Sequence, residues 1–130
     1  MFPTISIKSL HLEYQLWVRE LTFYKEEIKI YEDHLEDIVT KNDDIEIKIQ
    51  VEHFQNQFIR QKEVIDILKH DLNISEKQLA QLASKLSGSG IDSMKLDNHG
   101  RLREKMAMFR KIYRELKQEF RRFETECHYF

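Results

Sequence analysis

Apolar residues recur along this chain in three long series whose steps alternate between four and three residues. The first is Leu10, Tyr14, Trp17, Leu21, Tyr24, Ile28, Tyr31, Leu35 and Ile38, with no polar member. The second runs Ile47, Val51, Phe54, Phe58, Gln61, Ile65, Leu68, Leu72, Ser75, Leu79, Leu82 and Leu86, and only Gln61 and Ser75 interrupt it. The third is Leu102, Met106, Phe109, Tyr113, Leu116, Phe120, Phe123 and Cys127. This spacing gathers each series on one face of an α-helix, and heptads sustained this long imply helices packed at small crossing angles. They predict helices over about 10–41, 44–86 and 98–128, after a tail at 1–9. The expected fold is all-α, an antiparallel up-down-up three-helix bundle with coiled-coil-like heptad seams, forming a single domain over 10–130.

One stretch competes with this pattern. In NDDIEIKIQVEHF, residues 42–54, Ile45, Ile47, Ile49 and Val51 alternate with polar neighbours as a half-buried strand would. Ile47 and Val51, however, open the second series, so packing along the whole seam outweighs the short alternation. The expectation is helix over 43–54, with Ile45 and Ile49 turned away from the seam. Asp43 or Asp44 suits the N-cap, where a carboxylate accepts from free backbone N–H groups. The short link near 40–43 forces a hairpin. SGSG at 87–90 and the following IDSMKLDNHG predict a loop, with Asp97 or Asn98 able to start the third helix.

The second series overshoots its neighbours. It spans about 43 residues, or ~64 Å at 1.5 Å per residue, against about 30 residues in each flanking helix. Near the excess, ISEKQL offers Ser75 as N-cap, Gln78 as its capping-box partner, and Ile74 with Leu79 as a hydrophobic staple. Residues 75–87 could therefore fold back as a short fourth helix. Alternatively the helix continues, its tip covered by Ile91, Met94 and Leu96 and by Phe2, Ile5 and Ile7. Continuity of the seam favours the unbroken helix.

Composition agrees with helices and adds a charge pattern. Of 130 residues, 41% are apolar and 34% charged, with three Gly and one Pro, too few for a turn-rich β fold. The net charge is −2, yet residues 26–52 hold ten acids against three Lys, and residues 101–122 hold nine bases against three Glu. With Leu10 at heptad position d, Glu13, Glu20 and Glu27 fall at g. With Leu102 at d, Arg103, Arg110 and Lys117 fall at e. In a parallel pair g faces e, so a register that sets Leu21 beside Met106 aligns three opposite-charge pairs between helices one and three. Exposed pairs contribute only about 0.2–1 kcal/mol each, so their role is to select topology.

Chemical motifs are sparse. A carboxylate metal bundle needs Glu and His one turn apart as ExxH, and no such pair occurs. His11, His34, His53, His70, His99 and His128 form no HxxH or HxxxH pair and none falls on an apolar seam; Glu124 and His128 resemble surface charge. Cys127 and His128 are adjacent on a helix and do not face each other, so no nucleophile and base are expected. GSG at 88–90 lacks the Lys and the strand of a phosphate loop, and no His precedes KLSGSG as a phosphotransfer bundle would require. The Trp17, Tyr24 and Tyr31 stripe belongs to the core. No catalytic residue, metal or cofactor is expected. One Cys, no leader pattern and no uncharged apolar run of about 18 residues predict a cytoplasmic chain with no membrane segment. The NxS match at Asn73 has no secretory context.

Two surfaces remain. Helix one carries a second apolar line, Leu12, Leu16, Phe23 and Ile30, about 130° from its seam. A helix apolar on two faces touches more than one neighbour, so this line is the candidate partner interface, for a second copy of the chain or another protein. Arg110, Arg114, Lys117 and Arg121 share one flank of helix three and form the alternative, a nucleic-acid contact through phosphates. In architecture alone, three heptad helices of about 30 residues resemble a spectrin-type repeat, and the resemblance implies the bundle but no activity. The expected function is a non-enzymatic helical interaction or scaffold module that self-associates through the outer face of helix one, without a small-molecule substrate.

Overall fold

The computed structural model describes residues 6–85 and 93–127, and these form three helices: α1 (Ile7–Lys41), α2 (Ile45–Lys85) and α3 (Ser93–Glu126). They hold 35, 41 and 34 residues, and no strand occurs among the described residues. Ser6 starts α1 in an extended conformation, its hydroxyl oxygen accepting from Ser9 N at 3.1 Å. Asn42 ends α1 by returning to extended backbone, and its Nδ2 donates to Ile38 O. Two residues later Asp44, rather than Asp43, accepts from Glu46 N at 2.9 Å and starts α2.

The ambiguous stretch is therefore helix from Ile45, two residues after the expected start. Val51 is buried and Ile47 half-buried, while Ile45 and Ile49 face solvent. A strand would have put all four on one face; the helix keeps only the pair that belongs to the seam.

α2 passes through Ser75 without a break, so no fold-back helix forms over the described part of 75–87. A cap contributes about 1 kcal/mol. Continuing the helix instead retains its backbone hydrogen bonds and buries Leu79 in the core. α3 begins at Ser93, five residues before the expected start, so Asp97 and Asn98 lie inside it. The earlier start shortens the overshoot of α2 to about two turns. SGSG, Ile91, Phe2 and Ile5 lie outside the described residues. Met94 and Leu96 belong to α3, and Ile7 packs against the core.

The three seams meet as anticipated. Every apolar member of the first series is buried except half-buried Tyr24, which packs against the core. α1 lies closest to α2, whereas α1 and α3 stand farther apart and meet through large rings. Tyr24 meets Phe109 at 5.8 Å and Tyr113 at 5.0 Å between ring centroids. Lower down, Tyr31, Phe58 and Phe120 bring one ring from each helix together at 5.0–5.6 Å. Such pairs add about 0.5–1.5 kcal/mol each beyond area burial. Gln61 is buried within the α2 seam, and Cys127, half-buried in the turn after α3, fills space beside the core.

Candidate interaction surface

The charge ladder between α1 and α3 defines how the surface is held. Glu13 with Arg103, Glu20 with Arg110 and Glu27 with Lys117 all meet at a constant separation of 90 residues, which requires parallel helices in one register. Arg110 grips both oxygens of Glu20 with one edge of its guanidinium, Nε donating to Oε2 at 2.6 Å and Nη2 to Oε1 at 2.7 Å. That bond outweighs burial and, with the Tyr24 hydroxyl, holds the Glu20 carboxyl below its ordinary range. Burial and the Glu20 carboxylate push Tyr24 up to about 12. Burial and a 2.6 Å bond to Glu27 drive Tyr113 upward as well. Burial opposes the charge on Lys117, yet Glu27 at 2.9 Å leaves its pKa raised. These phenols stay protonated and act as donors, so the row is a clamp.

Two members of the clamp were misread from sequence. Glu124 is not surface charge: it is 2% exposed, and its carboxylate meets His34 Nδ1 at 2.6 Å, again 90 residues apart. It is the fourth e position after 103, 110 and 117, opposite the fourth g position, with the carboxylate now on α3. His128 lies outside the described residues. His99, expected off the seams, is 3% exposed and occupies the seam position just before Leu102. The early start of α3 brings it there. Its ring stacks on Trp17 at 5.6 Å, Nδ1 lies 3.3 Å from the Tyr14 hydroxyl, and Nε2 faces Glu13 and Arg103 at 3.1 and 3.0 Å. Burial lowers its pKa despite Glu13. In the neutral form so favoured, one ring nitrogen donates and the other accepts among Tyr14, Glu13 and Arg103.

Position e of α1 faces α2 instead. Lys25 binds Asp66 at 2.7 Å and Glu32 binds Lys62 at 3.0 Å. With g and e engaged and a and d buried, the outer positions c and f of α1 are left for solvent. Leu12, Leu16, Phe23 and Ile30 stand there, each 53–57% exposed, and no described residue buries them. Leu16, Phe23 and Ile30 are one heptad apart, so the line runs straight along the helix.

The basic flank is divided. Arg110 and Lys117 are held in the ladder, while Arg114 and Arg121 face solvent at position b of α3, with Arg121 also close to the Tyr31 phenol. Position b of α3 borders the same α1–α3 seam as position c of α1, so the two candidate surfaces are neighbours.

A third surface escaped the sequence. Val64, Ile67 and Leu68 of α2 with Met108, Phe109 and Ile112 of α3 form an open apolar groove of about 610 Å³, rimmed by Arg60, Asp71, Glu104 and Lys105. Ile67 and Met108 are each 60% exposed. Gln61 lines its floor. The signal was present in Ile67 of α2 and in Met108 and Ile112 of α3, apolar residues off their seams. Unlike the α1 line, it is split between two helices and becomes continuous only once they pack.

Among the described residues no group of three or more His, Cys, Asp or Glu could hold a metal ion. Burial raises the Cys127 thiol pKa, which lowers its nucleophilicity at neutral pH. No described helix is long and apolar enough to cross a membrane. Comparison with protein-family models, with curated proteins and with solved structures finds no match to this chain, so the likeness to a spectrin-type repeat remains one of architecture.

Proposed function

We propose that the chain is a non-enzymatic helical-bundle interaction module that self-associates through the outer face of α1. One observation carries this: Leu12, Leu16, Phe23 and Ile30 form a straight exposed line on the face of α1 that points away from α2, α3 and the core. Full burial of a large apolar side chain contributes roughly 1.5–3 kcal/mol, so association has a driving force that the isolated bundle forgoes. The single thiol suits a reducing compartment, and we place the module in the cytoplasm. Phosphate binding by the basic flank is the weaker reading, because Glu20 and Glu27 already engage two of its four cations. Light scattering over a concentration series tests the proposal. The unmodified chain should exceed the monomer mass at high micromolar concentration, and Phe23→Glu should give a folded monomer. A Phe23→Glu protein of unchanged assembly size would reject this interface.

A further inference from the structure

Resting on that reading, we infer that the occupant of the α1 face is a second copy lying antiparallel to the first, about a two-fold axis beside Phe23. The heptad spacing is symmetric about that residue. Placing Phe23 near Phe23 of the second copy sets Leu16 near its Ile30, and the two-fold repeats the contact. Leu12 then lies within about one turn of the second copy's Ile30.

Charge selects the direction. Position f beside the line holds Arg19 and Glu26, both exposed, and neither makes an ion pair or hydrogen bond with another described residue. In the antiparallel arrangement Arg19 falls level with Glu26 of the second copy, twice per dimer. A parallel, in-register pair would set the f flank of each copy against the opposite flank of the other, so Arg19 and Glu26 would lose this mutual contact. Rim charges of this kind set orientation and partner choice.

Size is compatible. α1 is ~52 Å long, and a helix strip about 10 Å wide buries roughly 500 Å² per copy, or ~1,000 Å² in all. That is the lower bound of a specific interface, so a micromolar dimer is expected.

The test exchanges the charges in the full chain and reads mass by sedimentation equilibrium, with circular dichroism confirming that each variant stays helical. Arg19→Glu alone sets Glu against Glu26 of the second copy, and Glu26→Arg alone sets Arg against Arg19. Each should weaken self-association at least tenfold. Mixing the two variants should restore a one-to-one heterodimer, because both rim contacts then pair opposite charges; the double variant should restore the homodimer. If the unmodified chain and both single variants dimerise equally, the antiparallel pairing falls while self-association stands. If Phe23→Glu also leaves dimers but Ile112→Glu abolishes them, the α2–α3 groove is the interface instead. If the unmodified chain is monomeric throughout, both this pairing and the self-association on which it rests are overturned, leaving a foreign partner for the face.

Discussion

His99 shows how a single side chain turns an apolar seam into a pH-dependent one. Its pKa is depressed in the fold from an ordinary value of 6.5, chiefly by burial between Tyr14, Trp17, Glu13 and Arg103. The unfolded chain takes up a proton below that ordinary value which the folded imidazole resists. The stability it contributes is therefore complete above about pH 6.5 and is lost as pH falls through the folded value. The melting temperature should fall between pH 7.5 and 5, and His99→Phe should flatten that slope; equal slopes would count against the buried neutral imidazole. Glu20, also depressed, adds a loss at more acidic pH, below its ordinary 4.5. Gly100 offers a gain one residue away. It lies inside α3, and a Cβ there meets nothing within 4 Å, so Gly100→Ala should raise stability by about 0.5–1 kcal/mol in a denaturant titration.

Between elements, the α1–α3 ladder fixes direction and register, and the buried aromatic and aliphatic seams supply the adhesion. Reversing Arg110 to Glu should destabilise the bundle, and reversing Glu20 to Arg in the same chain should recover part of the loss. Both groups are partly exposed, so solvent screening limits the coupling to about 1 kcal/mol. Phe58→Ala removes the ring that touches both Tyr31 and Phe120 and should cost about 3–5 kcal/mol, read as a shift in the urea midpoint. The heptads made the three helices, their seams and this register legible, because apolar period and charge period point to the same packing. They did not reveal the early start of α3, where Asp97 and Asn98 look like caps although the helix runs on through them from Ser93. His99 and Glu124 were missed for the same reason. A polar residue looks like surface until the helix opposite supplies Tyr14 or His34 as its partner, and that juxtaposition exists only in the packed bundle.

For the whole molecule, the consequence is a surface unevenly divided. One helix keeps an exposed apolar line while its g and e positions are spent on internal pairs, and the α2–α3 groove remains open on the other side. The exposed line on α1 was legible because all its members lie on one helix at fixed spacing. The groove was not, because its walls come from distant parts of the chain. The most direct test of self-association through α1 is the mass of the intact chain in sedimentation equilibrium at high micromolar concentration, beside Phe23→Glu. The expected result is about twice 15.9 kDa for the unmodified chain and 15.9 kDa for the variant. A mass of 15.9 kDa for both would contradict it.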